Sequence, residues 1–104
     1  MADQEADPIS QAYVRANQIN ARLAAKYDPA LAGEGKRVAE QLLTHVRENV
    51  KDYEDFARRC ERAELFPLHE SAQVEKNEVR FKGLYLRATG LLQTIQEAEQ
   101  RRRS

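Results

Sequence analysis

Tryptophan is absent from this 104-residue chain, and aromatic residues of all kinds amount to only 7%. A core must therefore lean on leucine, valine, isoleucine and alanine, a palette that suits helices, in which alanine and leucine have high propensity. There is a single cysteine, Cys60. It has no intramolecular partner for a disulfide, which excludes a disulfide-stapled scaffold and makes the cytoplasm the expected compartment. No apolar run approaches the roughly 18 to 20 residues a membrane-spanning helix needs. Met1 to Asp7 is acidic and polar with no apolar stretch, so no secretory signal is expected there. There is no excess of either charge: 17 basic residues balance 17 acidic ones. Proteins that live on phosphate contacts usually carry a basic surplus, so a nucleic-acid partner is not expected.

What is present is enough for one domain. Apolar residues make up 41% and charged residues 33%, too apolar for a disordered chain and charged enough to stay in solution. A chain of this length buries roughly 65% of its unfolded surface, which allows one modest core. Residues 1–6 read as a flexible N-terminal lead and 7–104 as a single helical bundle domain.

Two Asp-Pro pairs punctuate the first third. Asp7-Pro8 and Asp28-Pro29 each combine a capping carboxylate with a proline suited to the first helical position. After the first pair comes the stripe Ile9, Ala12, Ala16, Ile19, Leu23, with Tyr13 and Tyr27 beside it, predicting a helix that ends near Tyr27. After the second, Gly33 and Gly35 would each cost about 1 kcal/mol inside a helix. The expectation is a short helical turn or a loop over 28–35 and a secure helix from Lys36. Its apolar positions are Val38, Ala39, Leu42, Val46, Val50, Tyr53, Ala57 and Cys60. That pattern predicts one continuous or mildly bent helix, although Asn49 and Asp52 are both able to cap a new segment. Leu65-Phe66-Pro67-Leu68 ends it, since proline pushes the preceding residue out of helical angles. The last helix then runs from Pro67 to Arg103 along Val74, Phe81, Leu84, Ala88, Leu91, Ile95 and Ala98. Val79 to Ala88 also alternates, so a hairpin at Lys82-Gly83 competes there with the favoured helix. The fold class predicted is all-α, a small antiparallel bundle of three to four helices.

Chemistry is sparse. His45 and His69 lack the Glu-x-x-His spacing of a helical metal site, and the residues three before them are Leu42 and Phe66. No metal, cofactor or small-molecule substrate is therefore expected. Cys60 falls on an apolar stripe, where cysteine behaves as a small hydrophobe, and no base or oxyanion site accompanies it. The Gly33-Glu34-Gly35-Lys36 run lacks phosphate-loop spacing. Arg101 to Arg103 suit a helix C-terminus, where cations complement the dipole, although 76–103 does hold seven basic against three acidic residues. Asp52, Glu54 and Asp55 sit among Lys51, Arg58 and Arg59 at spacings that allow pairs along a helix surface. The sharper reading makes them an acidic rim around Tyr53 and Phe56, facing a basic protein. The contact surface expected on that reading is Asp52, Tyr53, Glu54 and Asp55, with the corner Leu65, Phe66 and His69.

With no catalytic constellation, a non-enzymatic protein-binding module is the expected function. The runs Arg22-Leu23-Ala24-Ala25-Lys26-Tyr27-Asp28-Pro29 and Gln41-Leu42-Leu43-Thr44-His45-Val46-Arg47 resemble the opening helices of the small helical immunity proteins of type VI secretion. The resemblance covers about the first half of the chain. It implies a bacterial, cytoplasmic antitoxin that docks on an NAD(P)-degrading toxin domain and neutralises it without a cofactor. The alternative is a secretion chaperone or helical scaffold subunit that pairs its long C-terminal seam with another helix.

Overall fold

The computed structural model describes residues 7–62 and 72–103, with side chains described for 7–62 and 79–103. The helices are α1 (Pro8–Ala25), α2 (Pro29–Asn49), α3 (Tyr53–Glu61) and α4 (Ala72–Arg103). They form a small all-α bundle, and there is no strand among the described residues.

The two Asp-Pro pairs start α1 and α2. The Asp7 carboxylate accepts from the Ile9 backbone N–H at 3.0 Å and from the Ser10 hydroxyl at 2.8 Å. These bonds hold the Asp7 carboxyl below the usual range, the serine hydroxyl contributing most. Asp28 accepts from Ala30 and Leu31. Helix α1 buries Ala12, Ala16, Ile19 and Leu23. It stops at Ala25, short of Tyr27, because Lys26 and Asp28 are extended. Asp28 precedes a proline, which disfavours helical angles there.

Helix α2 runs unbroken from Pro29 through both glycines, which corrects the expected start at Lys36. The reason is tertiary. Gly35 is buried where α2 meets α1 and α4. A Cβ added there would stand 3.0 Å from Ile95 Cδ1 and 3.1 Å from Ile19 Cγ2. Its missing side chain lets the three helices close together, which offsets the propensity cost.

The expected continuity of the middle helix also fails. Asn49 ends α2 and its side-chain amide donates to the His45 carbonyl at 2.8 Å. Val50 is extended, and Asp52 takes left-handed angles, φ 54° and ψ 66°. Asp52 caps α3 by accepting from the Asp55 N–H at 3.3 Å. The break rotates the apolar phase. Phe56 and Cys60 become the buried positions of α3, while Tyr53 and Ala57 are only partly covered. A left-handed, capping position favours Asp or Asn and penalises alanine on both counts. Asp52→Ala is accordingly expected to destabilise the fold by about 1–2 kcal/mol, and Asp52→Asn by much less. Urea unfolding of the three proteins checks this, and equal midpoints would refute the cap's role.

Helix α4 passes straight through Gly83 and Gly90, so the competing hairpin does not form. It buries Leu84, Tyr85, Ala88, Leu91, Ile95 and Ala98, while Phe81 is partly covered. The side chain of Val74 and the proline corner Leu65 to Leu68 lie outside the described residues. Helices α1 and α4 run parallel, as Arg87 meets Asn17 and Ala98 lies near Ala25. Helix α2 is antiparallel to both, with Glu34 paired to Arg15 and Lys36 to Glu99. Helix α3 lies against α4 through Phe56 and Tyr85, whose rings meet edge-on with centroids 6.3 Å apart.

Candidate protein-interaction surface

The four described residues of the expected contact surface sit together at the α2–α3 corner, and three are already engaged. Asp52 is the α3 cap. Tyr53 is half-buried, with the Arg47 guanidinium 5.1 Å above its ring and Tyr85 edge-on at 6.2 Å. Asp55 pairs with Arg58 at 3.4 Å. Glu54 is exposed beside the exposed cap. Phe56, expected with Tyr53 on the surface that the acidic rim surrounds, is instead 4% exposed and part of the core, because the break at Asp52 turns it inward. Leu65, Phe66 and His69 lie outside the described residues.

The groups that carry chemistry elsewhere are built into packing. Cys60 is buried, and desolvation pushes its thiol up against the smaller pulls of Lys82 and Arg59. His45 is half-buried with its ring 5.8 Å from Phe81. Among the described residues no cluster of His, Cys, Asp or Glu is placed to hold a metal ion. No described helix is long and apolar enough to cross a membrane.

Tyr85 is a buried polar group that the sequence reading passed over. Its hydroxyl donates to Glu61 Oε2 at 2.8 Å. Burial first, and the bond to Glu61 second, raise its pKa well above the usual 10.0. The neutral phenol is therefore favoured in the folded state. Its contribution is complete below the unfolded value and declines as pH rises from there through the folded one. Tyr85→Phe should cost about 1 kcal/mol at pH 7. It should also flatten the loss of stability above pH 10. Thermal melts from pH 7 to 11 test this, and identical alkaline slopes for both proteins would refute it.

The free surface lies elsewhere, on the side where α1 and α4 run parallel. Among the described residues the large apolar side chains left exposed are Tyr13 (36%), Val14 (54%), Val79 (65%) and Leu86 (44%). All four belong to these two helices. Tyr13, Val14 and Val79 line one open groove with Ile9, Gly83 and Leu84. Leu86 stands seven residues after Val79, on the same flank of α4. A Cβ at Gly83 would meet nothing within 4 Å, so this flank is open and shallow.

Arginines mark the α4 wall of that groove. Arg80 lines its apolar end, near enough to Asp7 to help lower that carboxyl. One heptad on, Arg87 donates to Asn17 Oδ1 at 3.1 Å and lies over Gly90, where an added Cβ would stand 3.3 Å from Nη2. Two heptads further, Arg101 lines a hollow at the far end of the bundle with Ala25, Lys26, Ala98 and Arg102. Arg102 sits 5.3 Å over the Tyr27 ring. Facing this wall, α1 offers Tyr13, Asn17, Asn20 and Ala24 at spacings of three and four, none of them charged. The buried polar side-chain atoms without a hydrogen-bond partner among the described residues, Asn20 Oδ1 and Arg87 Nε, lie on these two helices.

Sequence reasoning missed this surface because the exposed residues lie beside the main seams. The available signal was a second apolar set on α4, Val79 and Leu86, with Gly83 and Gly90 on the same flank. No protein-family model matches the chain, and no curated protein or solved structure is found similar to it.

Proposed function

We propose that the protein is a non-enzymatic protein-binding module, and more specifically an immunity-type protein that binds and neutralises a cognate bacterial toxin. The observation that carries the binding part is the gathering of Tyr13, Val14 and Val79 in one open groove, with Leu86 exposed seven residues after Val79 on α4. Scattered apolar side chains on a surface are ordinary, but a contiguous set rimmed by polar groups marks a docking site. The toxin part rests on the resemblance of 22–29 and 41–47 to type VI immunity proteins. Leu23, Leu42, Leu43 and Val46 from those runs are core residues, and Asp28 is a cap. They hold this chain's own scaffold together and leave the contact surface open, so the groove takes precedence over the α2–α3 corner as the primary contact.

The deciding experiment is capture of partners from the native lysate by tagged protein, with mass spectrometry of the bound fraction. A toxin-like protein at near one-to-one ratio, lost with the Val14→Glu, Leu86→Glu double variant, supports the reading. Loss with Glu54→Lys instead would return the contact to the acidic corner. Recovery of only the chain itself would favour the scaffold reading, and several secretion proteins the chaperone reading.

A further inference from the structure

Resting on the protein-binding reading, we infer that the α1–α4 groove receives an amphipathic helix of another protein that carries carboxylates beside its apolar stripe. Three observations define that occupant. The first is shape: the parallel helices α1 and α4 leave a hollow at each end of their seam, one between 9–14 and 79–84 and one between 25–27 and 98–102, with the Arg87–Asn17 bond between them, and a helix laid along the seam reaches both. The first hollow is lined by Gly83, where open space leaves room for close approach. The second is the apolar anchor at one end, Tyr13, Val14, Val79 and Leu86.

The third is charge. Arg80, Arg87 and Arg101 lie seven and fourteen residues apart on one wall, about 10 and 21 Å along the helix. They repeat with the period at which a partner helix presents one of its own flanks. The α1 wall supplies no acid against them except Asp7, whose carboxylate is engaged in capping. At the far end Lys26 and Arg102 add to the same sign. The dipoles do not account for this surplus. The C-termini of α1 and α4 together present about one negative charge, and the N-terminus of α2 returns about half a positive one. Arg22, Lys26 and Arg101 to Arg103, set against Asp28, Glu97 and Glu99, leave a surplus of two positive charges at that end, more than the dipole remainder of about half a charge.

Charge also selects among occupants. A second copy docked face to face would set its own arginines against these. A nucleic acid would meet a chain with no net charge and an anchor that is apolar. A carboxylate-bearing helix satisfies both the anchor and the wall.

The test uses two synthetic 21-residue helices with the same leucine stripe. One is flanked by glutamates every seventh residue and the other by lysines. Binding to the intact protein is measured by calorimetry at low and high salt, with amide shifts mapped by NMR. The glutamate helix should bind about ten-fold tighter at low salt. The preference should fade with salt and reverse in the Arg80→Glu, Arg87→Glu, Arg101→Glu variant. The shifts should centre on Tyr13, Val14, Gly83 and Leu86. Equal affinity for the two helices, binding of neither, or shifts centred elsewhere overturns the inference. So does sedimentation as a dimer that Leu86→Glu dissociates, which would identify a second copy as the occupant, and so does tighter binding of a short duplex DNA. Equal affinities that Leu86→Glu abolishes would remove the acidic helix and leave the protein-binding reading standing. Capture of the native partner unaffected by Leu86→Glu would remove that reading itself.

Discussion

Gly35→Leu is expected to be among the most damaging single substitutions in this chain. Gly35 lies at the point where α1, α2 and α4 meet, and even a Cβ there would press on Ile95 and Ile19. The contact with Ile95 involves Cδ1, the free end of a side chain that has room to swing. The contact with Ile19 involves Cγ2, attached directly at the branch. A β-branched residue in a helix has one strongly preferred χ1, so that methyl yields only with the backbone. Leucine adds three more carbons to a site already full, and overpacking of this kind costs about 3 kcal/mol or more. For a domain this size the melting temperature should fall by roughly 15 °C. The Ala replacement sets helix propensity, a gain of up to about 1 kcal/mol, against the same contacts, so its net effect should be small. Gly83→Ala is the control: open space surrounds that position, and a gain of up to about 1 kcal/mol is expected. Circular dichroism melts of the three variants decide the matter. A Gly35→Leu protein as stable as the parent would mean that α2 does not approach its neighbours as described.

The Val14→Glu, Leu86→Glu double variant should have the opposite profile, a folded protein that no longer docks. Val14 is 54% and Leu86 44% exposed, and substitutions at such positions usually change stability by no more than about 0.5 kcal/mol each. Each apolar anchor at the centre of an interface is worth about 2 kcal/mol or more, or roughly thirty-fold in affinity. Placing one carboxylate on the α1 side and one on the α4 side of this apolar face should therefore weaken partner binding by at least that factor while the melting curve stays close to the parent's. Glu54→Lys at the α2–α3 corner should leave affinity within a few-fold. Affinity by calorimetry, with a melt of each variant as the folding control, separates the surfaces. Unchanged affinity in the double variant would dismiss the groove as the docking face.

Particular residues show how far the chain could be read in advance. Asp7-Pro8 announced the start of α1 because a capping carboxylate and a proline act on the first turn alone, whereas the same signal at Asp28-Pro29 was set aside for Gly33 and Gly35 and the start of α2 was placed at Lys36. The stripes of α1 and α4 named most of their buried residues, since a 3.6-residue period is a property of one helix. Gly35 was misread because its cost is local and visible, whereas its benefit lies in Ile19 and Ile95, sixteen and sixty positions away. The break at Asp52 was foreseen only as an alternative: one left-handed residue leaves no mark on composition, yet it rotates Phe56 into the core. At the α2–α3 corner the spacing of three announced the Asp55–Arg58 pair, whereas the packing of Tyr53 against Arg47 and Tyr85 depends on α2 and α4 meeting there.

The sequence by itself determined an all-helical chain, the capped start of α1, the faces that α1 and α4 bury, and a core without tryptophan or disulfide. Those follow from interactions within a turn or two of the chain. The tertiary structure alone decided that α2 continues through Gly35, that α3 is re-phased by Asp52, and that α1 and α4 lie parallel with their apolar flanks and arginines facing one groove. Each of these depends on residues distant in sequence meeting in space, where the balance between a local cost and a packing gain is struck.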